Sequence, residues 1–218
     1  MAADTVAAMV VGATGLVGRE VLAALLADNS YTSIHSVGRR ALDLQHPKLV
    51  QHVVDFKALP TLPKVNDVFI ALGTTIKVAG SQAAFRAVDF ETVVAVARAA
   101  RASGATKLGV VSAMGADFRS TVFYSRVKGE MEDALTQIGF DSLVIARPSM
   151  LAGHREALGQ PARMGERIAL AVSTVLKPLI PANYRSIQAR DVAHALITAV
   201  KAGRPGVQRL LSGSMQAA

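Results

Sequence analysis

At 218 residues the chain is long enough for one domain whose core needs no crosslink. It has no cysteine, which excludes disulfide staples, thiolate metal sites and thiol catalysis and sets the expectation of a cytoplasmic location. A formal charge of +8 invites a nucleic-acid reading, but Lys and Arg are scattered singly or in pairs and aromatics are only 5% of residues. That pattern points to a solvated surface and affinity for small anions, not to a nucleic-acid partner.

In chain order, Met1 to Asp4 run straight into the apolar stretch Val6 to Val11, with no basic segment and too few apolar residues for a signal peptide. Val6 to Val11 reads as the first strand. Further short apolar, β-branched runs at Ile34 to Val37, Leu49 to Val54, Val68 to Leu72, Leu108 to Val111 and Leu143 to Ala146 predict strands two to six. Each is continuous, not alternating, as strands buried on both faces require. Between them, helices are predicted over about Leu16 to Ala27, over Ser81 to Ala102 with Phe85, Val88, Thr92, Val93, Val96 and Ala100 at helical spacing, and over Tyr124 to Ile138. Gly104 and Gly139 supply the stops of the last two.

After Ala146 the prolines 148, 161, 178 and 181 and the glycines 153 and 159 break the chain into loops around one helical stretch near Arg163 to Val175. The strand–helix alternation predicts an α/β fold of Rossmann type, a doubly wound parallel sheet with helices on both faces. We expect a single domain over 1–218, with residues 148–187 forming a small substrate-side cap. The apolar stretch Ile168 to Ile180 is interrupted by Lys177 and Pro178 and falls short of the roughly 20 residues of a membrane span, so no integral membrane segment is expected. A buried cap helix and a membrane-surface segment both fit it.

Gly12-Ala13-Thr14-Gly15-Leu16-Val17-Gly18 follows the first strand and opens the first helix. Gly12 suits a tight turn, Gly15 lets backbone approach a pyrophosphate, and Gly18 lets helix and strand pack closely, with the helix N-terminus facing the anion. At the end of the second strand, where NAD binders place an acid for the ribose, this chain has Gly38-Arg39-Arg40. A guanidinium suits a 2′-phosphate, so NADP(H) is favoured, with NAD(H) as the alternative. Asp55 and Phe56, at the end of strand three, sit where a carboxylate would either accept from the adenine amino group or cap a turn. Leu72-Gly73-Thr74 ends strand four, where a glycine suits close passage of a ribose or nicotinamide.

Tyr124 and Lys128 are four apart at the start of a helix and share a face, downstream of Ser112 at the end of strand five. A neighbouring ammonium favours the phenolate, so Tyr124 is the candidate acid/base, Ser112 the candidate holder of the substrate oxygen, and Lys128 a candidate for the ribose hydroxyls. The five histidines show no metal-ligand spacing, and no metal site is expected. Arg155 and Glu156, after Ser149, are the remaining polar pair that a substrate could touch.

Together the glycine turn, Gly38-Arg39-Arg40, Leu72-Gly73-Thr74-Thr75, Ser112 with Gly115-Ala116-Asp117, Tyr124 to Glu130, Arg147-Pro148-Ser149 and Arg190-Asp191-Val192-Ala193 resemble the atypical short-chain dehydrogenase/reductases of the epimerase/dehydratase superfamily. The branch they resemble is the Tat-interacting-protein-like NADPH binders. That resemblance implies a Rossmann core with NADP(H), a triad of Ser112, Tyr124 and Lys128, and Pro148-Ser149 against the nicotinamide end. Where many relatives have an asparagine in the helix after strand four, this chain has Val88-Asp89, which places an asparagine-assisted proton relay in doubt.

Two functions from different classes follow. The leading expectation is an NADP(H)-dependent oxidoreductase acting on a small carbonyl or alcohol. The alternative is an NADP(H)-binding redox sensor or interaction protein with little turnover, partnered by another protein or a second copy of the chain. A nucleotide-sugar epimerase or dehydratase ranks below both, because only about 70 residues follow strand six.

Overall fold

The computed structural model describes residues 6–152 and 181–216. The first apolar run is strand β1, Val6–Val11, and its last four residues are buried because both sheet faces are covered. Around it lie α1 (Leu16–Ala27), β2 (Tyr31–Gly38), β3 (Leu49–Val53) and β4 (Asp67–Ile70). A four-residue helix α2 (Ile76–Ala79) follows, then α3 (Gln82–Arg86), a π-helical turn (Ala87–Thr92) and α4 (Val93–Ala102). Next come β5 (Lys107–Val111), α5 (Phe123–Thr136), β6 (Ser142–Arg147), β7 (Leu151–Ala152), β8 (Ile187–Gln188), α6 (Ala189–Ala202), β9 (Gly206–Leu211) and α7 (Ser212–Met215).

Seven strands form one sheet in the order β3-β2-β1-β4-β5-β6-β9, and every pairing in it is parallel. Parallel neighbours need crossover helices, which is why each strand in this alternation is separated from the next by a helix or a long loop. Alternate side chains of β1 feed two cores. Ala8 and Val10 pack with α1 and α6, while Met9 and Val11 pack with α4 and α5. The sheet is thus the middle of three layers, as the Rossmann expectation required.

Each of the six anticipated strands is present, with ends shifted by up to three residues. The last strand and helix were not anticipated. β9 reads Gly-Val-Gln-Arg-Leu-Leu and is an edge strand with most residues exposed, so it lacks the apolar run that marks a central strand. α6 did carry a signal: Val192, Ala193, Leu196, Ile197 and Val200 form a buried stripe, and Gly203 closes the helix in the left-handed region at φ 58°. The anticipated helix over 81–102 is divided by the π turn; within it Asp89, on the stripe of Val93, Val96 and Ala100, is buried and Val88 is half-buried.

Of the anticipated cap, residues 148–152 and 181–187 are described. β7 and β8 pair in parallel, Leu151 with Ile187 and Ala152 with Gln188, so the two flanks of that region meet at the carboxyl edge of the sheet. The helical stretch near 163–175, the apolar stretch 168–180, Arg155 and Glu156 lie outside the described residues. Among the described residues no helix is long and apolar enough to cross a membrane.

Candidate functional site

The glycine turn is built around two contacts that no side chain would permit. Gly12 has φ +92°, and a Cβ there would stand 2.6 Å from the Ala71 carbonyl oxygen, because the chain leaving β4 crosses directly over the turn. A Cβ on Gly18 would stand 2.1 Å from the Gly12 carbonyl oxygen, which keeps α1 pressed on the turn. Gly15 differs: a Cβ there would meet nothing closer than 3.4 Å, yet the residue begins α1 with no side-chain cap. The first-turn amides of α1 therefore have no side-chain cap at this turn. Thr14 is exposed and Leu16 half-buried at this turn, while Val17 belongs to the core.

At the end of β2, Arg39 and Arg40 are both exposed, and neither has an ion-pair partner among the described residues. Asp55 takes the turn-capping alternative, since its Oδ1 accepts the Lys57 amide at 2.9 Å, and Phe56 packs on the core beside it. After β4, Leu72 packs on the α4 side, Gly73 is exposed, and the Thr74 amide donates to Asp89 Oδ2 at 2.9 Å.

Tyr124 and Lys128 occupy successive turns of α5, and a matching pair faces them from the neighbouring helix. The Phe85 ring lies 5.4 Å from the Tyr124 ring, centroid to centroid, while Lys128 Nζ lies 2.7 Å from Asp89 Oδ1. Asp89 and Lys128 are almost completely buried, whereas Tyr124 is 36% exposed. The Asp89 Oδ1 contact lacks hydrogen-bond alignment and acts as an ion pair, so the aligned bond from Thr74 is the carboxylate's directional tie. Arg86 and Glu130 add a second ion pair between the same two helices.

Ser112 takes a different partner from the one anticipated. It is buried, and its hydroxyl donates to Glu132 Oε1 at 2.6 Å. Glu132 lies eight residues beyond Tyr124 on α5, about 12 Å along the helix axis at 1.5 Å per residue. The serine hydroxyl is thus engaged two turns below the tyrosine and does not stand free for a substrate oxygen. Glu132 also accepts Arg147 Nη2 at 2.6 Å and lies 3.5 Å from Arg209 Nε, so its buried charge is compensated by two guanidiniums. Glu132 went unnoticed in the sequence, although it stands four positions after Lys128 and eight after Tyr124 and so lies nearer the buried face of α5 than Glu130 or Asp133. After β6, the Pro148 carbonyl accepts the Met114 amide at 2.9 Å. Ser149 donates to the Arg185 carbonyl and meets Ser212 Oγ at 2.8 Å.

These residues gather at the carboxyl edge of the sheet, around the point where strand order reverses between β1 and β4. In open parallel sheets that crevice is where ligands bind. A recess of about 530 Å³ between α6, β9 and α7 is lined by none of them.

No family model matches the sequence. The protein fmp52, mitochondrial, of Emericella nidulans is 35% identical over 156 residues, 67% of each chain. Protein HTATIP2 of Rattus norvegicus is 34% identical over 167 residues, 73% of this chain and 67% of the rat protein. The chain belongs to the HTATIP2/Fmp52 family. Among solved structures, MoeE5 in complex with UDP-glucose and NAD matches with a TM-score of 0.70 at 16% identity, over 94% of this chain and 75% of MoeE5, which supports the Rossmann fold. The Tat-interacting-protein-like branch read from the motifs is therefore the right one. The cytoplasmic expectation is not: the fungal relatives are named as mitochondrial proteins, and absence of cysteine cannot distinguish reducing compartments from one another.

Proposed function

We propose that this chain binds NADP(H) and acts as an oxidoreductase on a small carbonyl or alcohol, with Tyr124 as acid/base. The observation that carries the reading is the placement of Tyr124 and Lys128, one partly exposed and one buried, on the α5 face that meets the loop after β4. The glycine turn with its uncapped amides suits the pyrophosphate, and Arg39 with Arg40, exposed and unpaired, suits the 2′-phosphate. Leu72, Gly73 and Thr74 border the adjoining ribose, and Pro148 with Ser149 border the nicotinamide end. Asp55 and Phe56 flank the adenine, although the bond from the Lys57 amide already occupies one oxygen of Asp55.

When bound, a reduced nicotinamide supplies a hydride to a carbonyl carbon. Tyr124 delivers the proton to the carbonyl oxygen, and in the oxidative direction it takes that proton back. Lys128 stands one helical turn from Tyr124, where its ammonium is placed to donate to ribose hydroxyls. The described flanks of the cap, residues 148–152 and 181–187, border the substrate.

A second reading, a cofactor-bound sensor with little turnover, is favoured by one observation. Ser112 is engaged with Glu132, and the residue after it is Ala113, so no second hydroxyl from this segment is free to hold a substrate oxygen.

Calorimetric titration with NADPH and NADH tests the cofactor. The parent binds NADPH at least about tenfold more tightly, a difference of about 1.4 kcal/mol, and Arg39→Ala removes the preference. A carbonyl panel offered to the NADPH complex then separates the readings, since turnover lost in Tyr124→Phe supports the oxidoreductase, whereas tight binding without turnover supports the sensor.

A further inference from the structure

Two helices present matched pairs to each other. Phe85 and Asp89, four residues apart on one helix face, meet Tyr124 and Lys128, ring against ring and carboxylate against ammonium. Asp89 lies within a π turn, Ala87–Thr92, a rare element that recurs at functional sites.

We infer that Asp89 is a positioning residue: it holds the Lys128 ammonium at the cofactor site and ties it to the Thr74 amide, so that the lysine and the loop after β4 move as one unit. This rests on the cofactor reading proposed above. A buried ammonium needs an anion, and Asp89 is the carboxylate at 2.7 Å. The other charged groups of the neighbourhood are engaged elsewhere. Glu132, one turn further along α5, is compensated by Arg147 and Arg209, and Glu130 is paired with Arg86 across the helix interface. Asp117, before α5, accepts the Arg119 amide. Deprived of Asp89, the long lysine stem would swing its charge toward water.

The test is a double-mutant cycle read by NADPH calorimetry on the full chain, with each variant first shown to unfold cooperatively. Asp89→Asn keeps an acceptor for Thr74 but removes the anion, and it weakens NADPH binding by about tenfold. Lys128→Met weakens binding by the same factor, and the double variant is no weaker than either single one, because Asp89 acts through Lys128. A purely structural role for Asp89 would instead multiply the two losses, and that additive result overturns the inference, as does an Asp89→Asn variant with parental affinity. If Lys128→Met fails to fold with an unpaired buried carboxylate, the comparison of Asp89→Asn with the double variant, which buries neither charge, decides in the same way: equality supports the inference, and a further loss in the double variant overturns it. A parent protein that binds no NADPH overturns the cofactor reading and this inference with it, a result separate from additivity.

Discussion

A serine at the end of a strand is identified by its type, but its function depends on the face toward which its Cβ points. Ser112 follows β5, and alternation along the extended chain turns it to the α5 side, where Glu132 accepts its hydroxyl. Removing that hydroxyl leaves a buried carboxylate short of one charge-assisted donor. Ser112→Ala therefore destabilises the fold, by about 1.5–3 kcal/mol as for hydrogen bonds to charged groups, and urea denaturation reads the loss. Any turnover found in the parent persists in Ser112→Ala far better than in Tyr124→Phe. The opposite pattern, unchanged stability with abolished turnover, would mean that the hydroxyl leaves Glu132 for the substrate. Glu132 and Asp89 share one lesson about legibility. Asp89 stood out in the sequence, on the stripe of Val93, Val96 and Ala100, whereas Glu132 was passed over; only the approach of a second element, carrying Lys128 for one and Arg147 for the other, shows what each carboxylate pairs with.

At the level of elements, the glycine turn separates folding from binding within seven residues. Gly18 is packed and Gly15 can accept a methyl, since a Cβ would meet backbone at 2.1 Å in the first case and at an ordinary contact distance of 3.4 Å in the second. Gly18→Ala must push α1 off the Gly12 carbonyl and costs at least about 2 kcal/mol, in the range of overpacked core sites. Gly15→Ala has an ordinary φ of −80° and stays within about 1 kcal/mol of the parent, yet its methyl occupies the space a pyrophosphate needs, so NADPH affinity falls without a matching loss in thermal stability. Equal melting losses in the two variants would refute that division. The same turn was legible beforehand because its strand–turn–helix context is local. So were the central strands, whose apolar runs are continuous. β9 was not, since an edge strand with Gln208 and Arg209 has no such run, and the π turn was not, because helical periodicity over 81–102 assumes one uninterrupted register.

Polar groups differ in closure across the whole molecule. Arg39 and Arg40, after β2, are exposed and have no ion-pair partner among the described residues. At the amino ends of the strands the polar groups are closed on each other. The Tyr31 hydroxyl donates to Asp67 Oδ2 at 2.6 Å, Lys107 lies 3.3 Å from Asp67 Oδ1, and Lys201 reaches Asp28. Burial first, and then the bond to Asp67, raise the Tyr31 phenol well above its usual range, so it stays neutral across the working pH.

Asp28 has a depressed pKa. The Lys201 ammonium first, and then the amide and hydroxyl of Ser30, hold its carboxyl down at about 2. The bond links the turn between α1 and β2 to the end of α6, residues 173 positions apart, and so pins the chain's last long helix to its first. A carboxyl with a depressed folded-state pKa stabilises the fold at pH values above its unfolded pKa, ordinarily near 3.9, and the contribution disappears as pH falls toward 2. Because the pair is half-exposed, solvent screening limits that contribution to about 1 kcal/mol. Denaturation midpoints at pH 5 and pH 2.5 should converge between the parent and Asp28→Asn, with the parent more stable at the higher pH. High salt should narrow the gap at pH 5 only in part, since it screens Lys201 but leaves the Ser30 amide bond in place. Parallel curves for the two proteins from pH 5 to pH 2.5 would show that the tether closes the molecule without stabilising it.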